Sequence, residues 1–374
     1  MEPPGRRAPY DHILIASIMA LTGVGLVTLY SASYAFAGRW TNDSYYFISR
    51  QLFFGALGLV FFFLGSRVSM GLVRKLVPPL VIIAVVFCIL PFVPGVGVVK
   101  NGAPRWIRVG PYTYQPSELV KLTLPLYLAH IFDKKQERLH SFVGGVLPPA
   151  LVVVFFSVLI YQQNNFSTAV FVAINSLAIF FLAGVKIRYF IGAAVILIPL
   201  SGLLVFSKEH RLRRLISFIW PEWEPLGAGY QVRSALITIG SGGFWGKGIG
   251  QGTRKIASIP EVQSDFIFAS YVEEFGFAGV LLFFLLAGTF IVRGYRTAVM
   301  ADDTFKQLLA FGCVTMIGSQ ALVNIAVVSG VLPATGLPLP FFSAGGSSLA
   351  TTLLAAGLVV NVSRYGHTGE AFDG

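Results

Sequence analysis

Charge is what this sequence has least of. Of its 374 residues, 12% are Asp, Glu, Lys or Arg, about half of the roughly 25% found in soluble domains. That excludes a water-soluble globular protein. Cysteine is nearly missing too. Cys88 and Cys313 both sit in apolar runs, so there is neither a disulfide framework nor a zinc-ligand spacing. Acids are scarce beside bases, 17 against 28, and in a membrane chain such an excess has meaning only when placed by side. Hydrophobic residues, by contrast, make up 55%, and 33 residues are Phe. An aromatic-rich chain of this kind is not disordered, because it has apolar surface to bury.

A helix needs roughly 20 apolar residues to cross a bilayer core. Ten stretches meet or approach this, at about 13–34, 46–66, 72–93, 118–132, 143–161, 166–184, 187–207, 266–292, 305–330 and 347–364. The fold class expected is therefore all-α, a polytopic membrane protein of ten transmembrane helices forming one domain over 1–374. The first stretch is too long for the core of a cleaved signal peptide and reads as a span. With the N-terminus inside, the inner segments hold fourteen Lys and Arg and the short outer segments five. The bias puts both termini in the cytoplasm. The three long loops, 94–117, 208–265 and 331–346, then lie outside. A loop of that size between spans seven and eight should hold its own elements and function; its apolar stretches at 215–220 and 232–239 read as short helices on the bundle.

Polar groups at membrane level are functional candidates by default. Gln115-Pro-Ser-Glu-Leu-Val-Lys121 opens the fourth stretch. Pro116 suits a first helical turn, where the dipole favours the Glu118 carboxylate. Glu118 and Lys121 are three apart and share a face. This is either a capped helix with an internal ion pair or, with Arg105 and Trp106 upstream, part of a site. The segment 240–252 is glycine-rich but fails the Walker pattern, since Ser241 and Gly248 stand at its fixed positions. Its glycines suit close backbone approach, and Lys247, Arg254 and Lys255 could meet phosphate oxygens. Ser264 and Asp265 stand where the long loop enters the eighth stretch. Asp265 is either a general base or a helix N-cap. Glu273 and Glu274 follow two turns on and cannot all face lipid, so at least one must be paired inside. Finally, 332–348 is a Pro-broken turn whose Ser343 and Ser347 lie near helix N–H groups able to bind an anion. Acid, base and anion-binding groups thus gather on the outer face. A lipid-linked phosphate substrate fits this, and so does an anion transporter.

The strings Arg105-Trp-Ile-x-x-Gly110, Gln115-Pro-Ser-Glu118, Pro225-Leu-Gly-Ala-Gly-Tyr-Gln231, Gly240-Ser-Gly-Gly243, Ser264-Asp-Phe-Ile-Phe-Ala269 and Pro338-x-Pro-Phe-x-Ser-x-Gly-Gly-Ser-Ser348 together resemble the SEDS family (shape, elongation, division and sporulation), in order and over essentially the whole chain. The resemblance implies a ten-span peptidoglycan glycosyltransferase polymerising lipid II, an undecaprenyl diphosphate-linked disaccharide-pentapeptide. It implies a class B penicillin-binding protein and the bilayer as partners, and no nucleic acid. It carries the catalytic role onto Asp265 and cavity-lining roles onto Glu118 and Lys121. Where many members have an aspartate this chain has Asn165, which removes a charge from that loop, and Arg233 stands where Gln is frequent. On this reading Asp265 takes the proton of the acceptor 4-hydroxyl. Arg105, Lys121, Lys247, Arg254 and Lys255 are the cations available to the departing diphosphate, with room for a divalent cation, Mg or Mn. The alternative is a lipid II flippase; a third reading is a membrane scaffold.

Overall fold

The computed structural model describes residues 9–100, 102–139, 141–220, 228–252 and 262–365. Each of the ten apolar stretches is helical. They form α1 (His12–Thr41), α2 (Tyr46–Arg67), α3 (Met70–Ile89), α4 (Pro116–Lys134), α5 (Leu147–Gln162), α6 (Phe166–Leu182) and α7 (Ile187–Phe206). Two helices of the long loop follow, α8 (Glu209–Ile219) and α9 (Ala228–Ser241). Then come α10 (Ile267–Val299), α11 (Thr304–Val328) and α12 (Gly346–Val362). Eight of the ten are long and apolar enough to cross a membrane, α3, α5 and α12 together with the short helical turns that adjoin them at Leu90–Phe92, Phe142–Val146 and Ser363–Tyr365. The other two are α6, with 17 residues, and α4, with 19 residues that include Glu118, Lys121, Asp133 and Lys134. Both are packed among other helices, α4 against α3, α6 and α11, so neither needs a wholly apolar surface. The expected helices of the long loop are α8 and α9.

The bundle is organised around α12. Nearly all of its residues are buried, and α2 lies along it. Lipid tails are as apolar as leucine, so helices in a bilayer associate through close packing and polar contacts. Here Gly58 and Gly65 of α2 meet Leu353 and Leu354 of α12. Asn361 donates its side-chain amide to the carbonyls of Gly65 and Val68 at 2.8 and 2.6 Å. At the opposite extreme, α7 has no buried residue and touches the bundle chiefly through α8.

One end of the bundle is stitched by ion pairs. Arg74 pairs with Asp133 at 2.8 Å and with Asp303 at 3.0 Å, Lys306 pairs with Asp302 and Asp303, and Arg293 pairs with Asp11 at 2.8 Å. Asp11 and Asp303 also cap α1 and α11, accepting from the backbone N–H of Leu14 and Lys306, a contact typically worth about 1 kcal/mol.

At the other end lie two features the sequence did not announce. The first is a three-stranded antiparallel sheet in the loop after α3, made of β1 (Gly97–Lys100), β2 (Ala103–Val109) and β3 (Tyr112–Tyr114). It is a small exception to the all-α expectation. The second is a break in α10. Gly276 has φ 65° and ψ −162°, a conformation open essentially to glycine alone. The glycine-rich segment docks into the break. Lys247 and Gly248 donate their N–H groups to the carbonyls of Glu273 and Glu274, and Phe277 and Ala278 donate theirs to the carbonyls of Gly243 and Phe244. Broken backbone at membrane depth must find partners within the protein, and residues 243–248 supply them. A Cβ on Gly276 would lie 2.2 Å from the Gly246 nitrogen.

Candidate active site

Asp265 sits in the turn immediately before α10, partly exposed. It is not the N-cap: the residue before α10 is Phe266, and no side chain caps that helix. The turn is held by its main chain. Asn324 of α11 donates one amide to the Asp265 carbonyl at 3.0 Å and to the Leu337 carbonyl at 2.8 Å. Ser343 donates to the Ser264 carbonyl at 2.5 Å and accepts from the Leu339 N–H at 2.8 Å. The Ala344 N–H donates to the Gln263 carbonyl. The loop 331–345 therefore lies against the Asp265 turn. Gly336, with φ 74°, passes so close that a Cβ there would be 3.6 Å from Asp265 Oδ2. Gln51 of α2 completes the brace, donating to the Ser343 carbonyl at 3.0 Å and accepting from the Gly345 N–H at 3.2 Å.

The Glu118–Lys121 face joins the same scaffold. Lys121 Nζ lies 2.7 Å from Glu118 Oε2 and donates to Gln320 Oε1 at 2.7 Å. Gln320 in turn donates to the Pro338 carbonyl at 2.8 Å. Gln320 and Asn324 are one turn apart on α11 and share a face. A polar ladder thus runs from Glu118 through Lys121, Gln320 and the 337–338 backbone to Asn324 and Asp265. Glu118 and Lys121 are 3% and 4% exposed, so the ladder braces the site from within the bundle. Ser117 is fully buried at the start of α4 and Gln115 caps that helix without a side-chain bond. Gln51, Gln320 and Asn324 lie inside apolar runs, and periodicity gives no reason to select them.

Arg105, on β2, lies within electrostatic range of Asp265. Its guanidinium donates to the backbone carbonyls of Gln163 and Asn164, in the turn between α5 and α6. Burial and the guanidinium groups of Arg214 and Arg211 lower its pKa, while the Asp265 carboxylate opposes them. Arg211 and Arg214 of α8 are therefore part of this neighbourhood, and the sequence reading did not single them out. Their spacing of three on a strongly amphipathic helix was the available signal.

Other expected site residues are placed elsewhere. Trp106 follows Arg105 in β2, and successive strand residues face opposite ways; its ring lies under Lys100, 4.7 Å from Nζ, away from Arg105. Lys247 is bound to Glu273 at 2.8 Å, and its charge serves the docked segment. Glu274 is also held inside, accepting from Ser31 at 2.5 Å and from the Gly250 N–H at 3.1 Å. Both glutamates are thus engaged, where the sequence required at least one. Ser347 is buried in the first turn of α12. Arg254, Lys255 and the start of the Pro225–Gln231 motif lie outside the described residues. Among the described residues there is no cluster of three or more His, Cys, Asp and Glu.

A helical membrane bundle with a partly exposed carboxylate beside arginines, on a turn braced by buried amides, defines a class of membrane proteins with a site at one end of the bundle. Residues 11–368 match the cell cycle protein family FTSW_RODA_SPOVE. Relatives include the probable peptidoglycan glycosyltransferase FtsW of Trichlorobacter lovleyi, 36% identical over 97% of this chain and 95% of that one. Another is the stage V sporulation protein E of Bacillus subtilis, 39% identical over 95% and 97%. Among solved structures, a chain from a study of polymerisation and crosslinking by a peptidoglycan synthase complex aligns with a TM-score of 0.78 at 29% identity, covering 95% of this chain and 98% of that one. The rod shape determining protein RodA of Thermus thermophilus aligns with a TM-score of 0.67 at 30% identity, over 96% and 98%. The chain belongs to this FtsW/RodA/SpoVE family, the SEDS family, and is a multi-pass membrane protein.

Proposed function

We propose that this protein is a peptidoglycan glycosyltransferase that polymerises lipid II at the outer face of the bacterial cytoplasmic membrane, with both termini in the cytoplasm and all ten apolar helices as spans. The names of its relatives support the reaction class. The observation that bears most weight is Asp265, a partly exposed carboxylate on a turn fixed by Asn324 and Ser343 and within electrostatic range of Arg105. Asp265 receives the proton of the acceptor 4-hydroxyl as that oxygen attacks the anomeric carbon of the donor. The bond from that carbon to the diphosphate oxygen breaks with inversion, and undecaprenyl diphosphate leaves with the electron pair. The diphosphate linkage supplies the driving force. A positioned base contributes about 10²–10⁴-fold, and preorganised positive charge at the departing oxygens usually contributes more. Any divalent cation would enter through Asp265 and the substrate's own oxygens, and no step is assigned to it. A class B penicillin-binding protein, which crosslinks the strands, is the expected partner, in keeping with the coupled polymerisation and crosslinking described for the similar complex.

The test is glycan polymerisation from purified lipid II by the full chain with a class B transpeptidase. Asp265→Asn should lower the rate by about 10²-fold or more, with the fold and partner binding intact. Unchanged polymerisation would overturn the assignment, and a transport defect alone would favour a lipid II flippase.

A further inference from the structure

The candidate cations differ in what already neutralises them. Lys121 is buried against Glu118 at 2.7 Å, and Lys247 is held by Glu273 at 2.8 Å. A second anion would have to compete with a carboxylate in direct contact with each. Arg105, Arg211 and Arg214 are different: among the described residues, no carboxylate lies within ion-pair distance of any of them.

Their geometry is convergent. Arg105 and Arg211 hold the same corner, Arg105 at the turn between α5 and α6 and Arg211 at the helix ends on either side of it. Arg105 donates to the carbonyls of residues 163 and 164. Arg211 donates to the Tyr161 hydroxyl at 3.1 Å and to the Leu204 carbonyl at 2.9 Å, and lies over the rings of Tyr161 and Phe166, at 4.6 and 5.1 Å. Arg214, three residues on and on the same face of α8, donates to the Ala334 carbonyl at 3.5 Å, two residues from the glycine that passes over Asp265. Arg211 is only 7% exposed, and its buried Nε has no acceptor. Burying a guanidinium without a counter-charge is expensive, and cation–π contact and two neutral acceptors offset only part of that cost. A bound anion would supply the rest. The charges that act on Arg105 are those of Arg211, Arg214 and Asp265; three guanidinium groups against one carboxylate leave two positive charges. A diphosphate esterified at both ends carries two negative ones, and gains another when its sugar bond breaks.

We propose that Arg105, Arg211 and Arg214 form the subsite for a diphosphate, gripping it through the paired donors that arginine offers to phosphate oxygens. This rests on the function proposed above and assigns the leaving group to these three residues instead of Lys121 and Lys247.

The probes are inorganic pyrophosphate, inorganic phosphate, farnesyl diphosphate and farnesyl monophosphate, titrated into the full chain in lipid nanodiscs. Pyrophosphate and farnesyl diphosphate should bind, and the two monophosphates should bind at least tenfold more weakly. Tighter binding of farnesyl diphosphate than of pyrophosphate would identify a lipid-linked source, and equal binding a free one. The double variant Arg211→Gln with Arg214→Gln should weaken both diphosphates by tenfold or more, and the corresponding double lysine variant, which keeps the charge, should recover part of that. Unchanged diphosphate affinity in a glutamine variant that melts like the native chain would overturn the proposal. Asp265→Asn separates the two readings, since it should lower polymerisation by about 10²-fold or more yet still bind pyrophosphate. If it polymerises normally, the enzymatic reading falls, whatever the arginines bind.

Discussion

Two polar regions lie at the same end of the bundle and treat charge in opposite ways. In the Glu118–Lys121–Gln320 ladder and the Glu273–Lys247 pair, each charge meets its opposite within 2.8 Å. Around Arg105, the guanidinium groups of Arg211 and Arg214 gather, and Asp265 is the one described carboxylate whose charge opposes theirs. The first arrangement is complete and serves to hold helices and loops in register. The second is incomplete and awaits something from outside. Buried polar residues in a membrane protein therefore divide by whether their charge is already satisfied, and depth alone does not sort them.

The sharpest way to break this contrast is to spoil the satisfied region. Lys121→Met strands Glu118 in the bundle, and stranding one member of a buried pair costs about 3–5 kcal/mol. Thermal unfolding in detergent should show a large loss, mostly recovered when Glu118→Gln is added. Gly276→Ala should come next. A Cβ there meets Gly246 and Phe244 backbone atoms at 2.2 and 2.5 Å in a left-handed conformation; strain of this kind costs about 1–3 kcal/mol. Limited proteolysis within 243–252 should accelerate. Arg214→Gln should do the reverse of both. The side chain is exposed, so stability should move by less than about 0.5 kcal/mol while polymerisation falls severalfold; equal losses in both would erase the distinction.

The smallest effect belongs to the opposite end of the bundle. Burial tends to raise the Asp303 pKa, but hydrogen bonds from the Lys306 N–H and ammonium, with the charges of Lys306 and Arg74, outweigh it and lower the value. Its stabilisation is then present above the ordinary carboxylate range and lost as pH falls through the lowered folded value. Asp303→Asn should flatten the acid limb of a stability-against-pH curve. An unchanged limb would mean that the Arg74–Asp303 contact adds nothing.

Much of this was legible in the chain. Hydrophobic runs located the helices, and the i, i+3 spacing of Glu118 and Lys121 put them on one face. The cost of charge in hydrocarbon required at least one of Glu273 and Glu274 to be paired inside. What stayed hidden depends on contacts between distant segments. Gln320 and Asn324 look like stray polar residues of an apolar helix until the loop at 337–338 is folded beneath them. Lys247 reads as a free cation until Glu273 arrives from another element. Arg105 and Trp106 are neighbours in sequence, and only the pleat of β2 parts them. The sheet escaped notice because its strands are three to seven residues long, between glycines and prolines.

The gap in α10 has a consequence for protein engineering and for inheritance. The membrane helix borrows four main-chain partners from residues 243–248, so neither piece is a self-sufficient module. A chimaera that imports the helix from a homologue without its glycine-rich companion would carry bare amides and carbonyls into hydrocarbon. The two stretches should therefore travel through recombination as one unit, though residues 249–266 separate them along the chain.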